Sequence, residues 1–321
     1  GESLGGDRRR IAAFAAQGLD FFFHNSMTAP YSTSFGKLLH DEGYGRLVSH
    51  MATLVASSGA SASSGPGTYV LAFMTHAILD RVTHPYIVHH SGWVDPARPG
   101  TAAYYQCHAY FERVIDVLVL RQRKGTDIGD YDFFSHVDLG PSPPEAIVGL
   151  LAESVALSYP GLASASLTRE SLGSAYRDSM WYWEMTNPPG LATLRDRLPA
   201  GFLEPSRRFL ALVHPRTPDD RLDYLNYERQ EWTHPWDAGV VSRATFMELY
   251  EEALERAVPA LRAIAAYIGS TAGRPSADAR LELEALLGNS GLDSGRTGQV
   301  GELPRFSKPL PLAELVEALY A

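Results

Sequence analysis

The residues best suited to chemistry concentrate in two short stretches. In His76-Ala77-Ile78-Leu79-Asp80 an imidazole and a carboxylate stand four residues apart, and His108-Ala109-Tyr110-Phe111-Glu112 repeats the spacing. On a helix, residues i and i+4 share a face, so each pair presents a nitrogen and an oxygen ligand side by side. His84 lies one turn beyond Asp80. Mixed nitrogen and oxygen donors of this kind suit zinc. One such pair alone reads as a helical ion pair; two pairs with a further histidine point to metal binding.

The elements that must position these residues are helices. The apolar run Tyr69 to Met74 leads into His76 as a buried helix, which Pro85 is expected to end at His84. Helix is expected again from about Thr101 to Arg123, carrying His108 and Glu112. Asp116 continues that face, paired with Arg113, exposed, or supporting a metal-bound histidine. Upstream, Asp20 interrupts the apolar run Leu19 to Phe23. A carboxylate there needs a partner, either a metal or a helix end to cap. His24 is a lesser candidate ligand. Phe35 to Val55 reads as helical, with His40 and His50, and Ala56 to Thr68 as a Ser/Gly/Ala loop. His89 to Gly100 reads as an extended loop that exposes His89 and His90. Further helices are expected at 144–159, 168–185, 190–214, 242–268, 276–287 and 312–320. Loop-like residues 124–144 carry His136, and the aromatic stretch Tyr224 to Trp236 carries His234, which is expected to pack or to line a cleft. Strand-like alternation is sparse and no repeats occur. The expected class is therefore all-α: a single globular multi-helix bundle over 1–270, then a C-terminal extension over 271–321 with short helices and a Gly/Ser-rich connector.

The order Asp20, His40, His76-x-x-x-Asp80, His84-Pro85-Tyr86, His108-x-x-x-Glu112 resembles the bacterial zinc-dependent phospholipase C family, whose helical multi-zinc fold is shared with single-strand-specific nucleases. Gly18-Leu19-Asp20 resembles that family's early Gly-x-Asp segment, and Leu38-Leu39-His40 its first internal histidine. Leu225-Asn226, Trp232-Thr233-His234-Pro235 and Phe246-Met247-Glu248-Leu249 resemble a segment of uncharacterised bacterial members. The likeness covers most of residues 11–265. It implies one zinc held by Asp20, His40, His76 and Asp80, and a second held by His84, His108 and Glu112 with water completing it. Two Zn²⁺ bring four positive charges and the three carboxylates remove three, so the site stays positive towards an anionic phosphodiester. The implied activity is phospholipase C-like hydrolysis by water whose pKa zinc lowers to roughly 7. Asp20 serves there as ligand, general base or both. Family members hold a third zinc with the N-terminal amine or an N-terminal histidine, together with the carboxylate that Asp80 matches. No histidine precedes Asp20 in this chain. Two zincs are therefore expected, and the third lacks its ligands, either because the site is reduced or because Gly1 is not the true terminus.

Bulk properties narrow the partners. Apolar content of 45% and charged content of 20% over 321 residues belong to a globular chain with a large core. With a formal net charge of −9 and no Lys/Arg-rich run, a broad surface for duplex nucleic acid is not expected. A phospholipid or another phosphodiester is the expected substrate, with peripheral membrane contact. Phe21 to Phe23, Tyr86, Trp93, Tyr104, Tyr105 and Trp183 are candidates to line an apolar cleft or simply core. The only cysteine, Cys107, excludes disulfides within the chain. Its side chain leaves a helix about 100° from that of His108, as a buried bystander. No long apolar run and no signal peptide are seen, so a cytoplasmic location is expected, or a secreted one if the N-terminus was processed. The rival readings are a nuclease on the same scaffold, a His-Asp phosphohydrolase using His40-Asp41, and a non-catalytic helical binding protein stabilised by metal.

Overall fold

The computed structural model describes residues 5–26, 31–163, 169–186, 211–270, 275–297 and 302–318. Its described helices are α1 (Gly6–Ala15), α2 (Tyr31–Asp41), α3 (Tyr44–Ser57), α4 (Gly65–Ser91), α5 (Cys107–Lys124), α6 (Phe133–Val137), α7 (Glu145–Ser158), α8 (Pro160–Ala163), α9 (Arg169–Thr186), α10 (Phe246–Ser270), α11 (Ala277–Leu287) and α12 (Leu312–Ala318). Short 3₁₀ turns occupy Asp20–Ser26, Pro99–Tyr104 and Ile128–Asp130. One antiparallel hairpin, β1 (Trp232–His234) and β2 (Asp237–Ser242), pairs Trp232 with Ser242 and has a bulge between Thr233 and His234. The chain is mostly helical. Of the helix expected over 190–214, residues 190–210 lie outside the described set, and 211–214 form a turn.

Two compact units divide the chain. The first takes Gly1–Arg81, Phe134–Trp181 and Glu252–Val300; the second takes Val82–Phe133, Tyr182–Glu251 and Gly301–Ala321. In the first unit α3 packs on α7 and α11. Its core holds Leu47, Met51 and Val55 of α3 with Ile147, Leu151 and Val155 of α7. Tyr44 stacks on Phe73 at 5.0 Å and donates its hydroxyl to the Phe73 carbonyl at 2.7 Å. In the second unit Tyr86 is fully buried, stacks on Phe111, meets Trp232 edge-on and donates to the Tyr224 carbonyl at 2.8 Å.

Several boundaries differ from the sequence reading: the helix expected over Phe35 to Val55 is broken at Gly43, which holds φ 82°, α4 begins at Gly65 inside the expected loop, and α6 lies within the expected loop 124–144. Three others have a clear cause. First, α4 runs through Pro85 to Ser91. Proline removes the donor that would meet the Arg81 carbonyl, but Tyr86, Ile87 and Val88 are buried beyond it, and that packing outweighs the local preference. Consequently His89 and His90 are buried rather than exposed. Their carbonyls accept from Lys308 N and Leu310 N at 3.0 and 2.8 Å, which satisfies the end of α4. Second, α5 begins at Cys107 and not near Thr101, because Gln106 takes a left-handed conformation with φ 70°. Third, α10 starts at Phe246 after β2. Thr245 caps it reciprocally with Glu248: Glu248 N donates to Thr245 Oγ1 at 3.1 Å and Thr245 N to Glu248 Oε2 at 2.9 Å.

Candidate metal centre

The first unit gathers Asp20, His40 and His76. One ligand atom from each lies within 4.8 Å of the others. Helix α4 supplies His76 and, one turn on, Asp80, with Nε2 and Oδ2 3.1 Å apart. Helix α2 supplies His40 from its last turn. The 3₁₀ turn begins with Asp20, whose Oδ1 lies 3.0 Å from His40 Nε2 and 3.6 Å from His76 Nε2. His40 donates Nδ1–H to the Gly36 carbonyl at 2.8 Å, so Nε2 is the nitrogen that faces Asp20 and that a cation would take. His76 Nε2 is buried and makes no hydrogen bond, although two carboxylate oxygens stand close to it. A buried nitrogen beside carboxylates that it does not bond is a donor set fitted to a cation.

Burial would lower the His40 pKa. The hydrogen bond and charge of Asp20, with Asp80 and Asp293 farther off, more than offset that and raise it to about 9. Asp20 itself is not sealed among aromatic rings as its neighbours suggested. Phe21 and Phe22 turn inward and are buried, while the Asp20 side chain is 49% exposed. Among the carboxylates of this cluster it is the open one, since Asp80 is 10% exposed.

Gly18 makes room for the cluster. It holds φ +57°, and a Cβ there would fall 2.0 Å from His76 Cδ2. Only glycine allows both the turn and the ring. The glycine of Gly18-Leu19-Asp20 was in view in the sequence, but its role needs the fold.

The second unit gathers His84, His108 and Glu112 in the same way. Glu112 Oε1 lies 3.1 Å from His108 Nε2 and 3.4 Å from His84 Nε2, and the two imidazoles meet edge to face at 5.3 Å. His108 Nδ1 is buried without a hydrogen bond. Burial works against a charged Glu112, but His108 and His84 hold it well below the usual carboxylate range. The Trp93 ring meets His108 edge-on at 6.1 Å.

The remaining candidates stand elsewhere. Among the described residues, Cys107, Asp41, His24, His50, His136 and His234 join neither cluster. Cys107 contacts the Ala103 carbonyl, His24 contacts Ser179 Oγ at 3.1 Å, and His234 accepts from Trp236 N. Asp116 pairs with Arg113 at 3.0 Å and with His214 Nε2 at 3.2 Å. His214 had no sequence signal, because its partners lie about a hundred residues away. Phe21, Phe22, Tyr86 and Trp183 are core residues, whereas Tyr105 is exposed. No described helix is long and apolar enough to cross a membrane. Comparison of the chain with protein-family models, with curated proteins and with solved structures gave no significant match.

Proposed function

We propose that this protein is a zinc-dependent hydrolase of phosphodiester bonds, of the phospholipase C type that its motif order resembles. The observation that carries the reading is the second cluster. His84, His108 and Glu112 converge their ligand atoms, and three protein ligands are the number that leaves a catalytic zinc one position for water or substrate. These three residues would hold a divalent ion, which would supply Lewis acidity towards water and phosphoryl oxygens.

The chain's own groups account for the rest. Glu112 stays ionised because two imidazoles face it, so it is ready as an anionic ligand at neutral pH. His108 and Glu112 are held one turn apart by α5, which limits the freedom lost on binding a cation. In the first unit His40, His76 and Asp80 are the buried candidate ligands, and Asp20, 49% exposed, is the carboxylate that a water held at that same cluster would meet. The substrate proposed is a phospholipid headgroup ester or another phosphodiester, reached by peripheral contact with a membrane in the lipid case.

The test is metal analysis of the purified chain, paired with turnover of a chromogenic phosphocholine ester with and without chelator. Two equivalents of zinc and chelator-sensitive turnover are expected. Turnover of single-stranded DNA but not of the ester would move the assignment to a nuclease. Absence of transition metal, with failure to load any, would end it.

A further inference from the structure

Far along the chain, residues 287–296 close over the two helices that bear the ligands of the first cluster. Arg81 follows Asp80 on α4 and is the anchor. Its guanidinium donates to three carbonyls of that segment: Leu287 at 2.9 Å, Gly288 at 3.1 Å and Ser290 at 3.2 Å. The segment then reaches α2. Leu292 N donates to the carbonyl of His40 itself at 2.8 Å, satisfying an acceptor in the last turn of that helix. Asn289 bridges onward to α3, accepting from Arg46 N at 2.8 Å, while Gly45 N donates to Gly288 O at 3.1 Å.

The fit is close at both ends. A Cβ on Gly291 would stand 3.0 Å from the Asp41 carbonyl, and one on Gly295 would stand 2.8 Å from the Arg81 carbonyl. Gly295 also holds φ +65°. The segment thus touches backbone immediately after Asp80 and immediately after His40.

We infer that residues 287–296, clasped by Arg81, position the first metal cluster by fixing the backbone of His40 against that of Asp80. The inference rests on the reading that Asp20, His40, His76 and Asp80 bind a divalent cation. Metal ligands must be held within a fraction of an ångström of productive geometry, and supporting contacts set that precision. Arg81 and the segment are positioning residues. They act through His40 and Asp80 and are not ligands.

The experiment uses the full chain in an E112Q background, so that only the first cluster titrates, and measures Zn²⁺ and Co²⁺ affinity calorimetrically. R81K keeps the charge but cannot make the planar three-way fork. Thermal melts of the metal-free proteins run alongside. R81K is expected to weaken first-cluster binding at least tenfold and to lower the melting temperature by a few degrees, because carbonyls of the segment lose their donor, while the chain stays folded. A parallel titration of R81K in an H40A background should leave the second cluster's affinity unchanged. First-cluster affinity equal to the parent in R81K would overturn the inference, as would equal weakening of both clusters. If the unsubstituted chain binds no cation at all, the reading of the cluster as a metal site fails first, and the inference falls with it.

Discussion

His76 with Asp80 and His108 with Glu112 are the same local device, yet the two clusters built on them differ in company and in charge. The first draws Asp20 from a 3₁₀ turn and His40 from another helix, and its assembly needs the left-handed Gly18 beneath the His76 ring. The second needs only two helices, with His84 and Glu112 contributed by α4 and α5. Two carboxylates face two imidazoles in the first, so a Zn²⁺ held there would be neutralised. One carboxylate faces two imidazoles in the second, so Zn²⁺ there would keep one positive charge. The same one-turn pair therefore stands in two clusters of different formal charge, and under the proposed metal-binding reading only a cation in the second would keep charge to offer a phosphate. The partner residues set that difference.

The strongest way to break the comparison is Gly18→Ala. The added methyl meets the His76 ring and the turn strains, so stability should fall by about 3 kcal/mol or more. Cation binding by the first cluster should disappear, while the second still loads one equivalent; a chain that loads two would refute the asymmetry. Next comes Glu112→Gln. Loss of supporting residues alone costs 10–100-fold in metal affinity, so removal of an anionic ligand should cost the second cluster at least about 100-fold and abolish chelator-sensitive turnover. The first cluster should titrate as before.

The electrostatic difference predicts opposite pH limbs in metal-free protein. His40 is raised from 6.5 to about 9, so its contribution is complete below pH 6.5 and is lost as pH rises through about 9. Glu112 is depressed below 4.5, so its contribution is complete above that value and is lost as pH falls through the depressed value. Denaturant melts across pH should therefore show an alkaline slope that His40→Ala flattens and an acid slope that Glu112→Gln flattens. If either substitution flattens both limbs, the two clusters are not electrostatically distinct.

The smallest effect concerns the residue between the pairs. Pro85→Ala restores a helix donor opposite the Arg81 carbonyl and should stabilise the chain by about 1 kcal/mol, leaving both clusters' metal affinity unchanged. A loss of second-cluster affinity in that variant would mean that Pro85 helps to aim His84.

How much of this was legible beforehand follows from range. The helical class and the two one-turn pairs could be read because i, i+4 geometry is local. Asp20 came forward as a carboxylate inside an apolar run and through motif order, and His40 through motif order, but no spacing brings either to His76. Pro85 misled, since a local preference was overruled by Tyr86, Ile87 and Val88 packing beyond it. The same error turned His89 and His90 from buried into exposed residues. Arg81 gave no signal, because its three acceptors lie more than two hundred residues away.

By itself the order of residues determined which side chains share a helical face, and so which nitrogen and oxygen atoms come in pairs. Only the tertiary structure decided which further residues join each pair, which carboxylate stays open to water and where a glycine must leave space. Those outcomes depend on packing and hydrogen bonds between distant segments, whose free energies exist only once the chain has closed on itself.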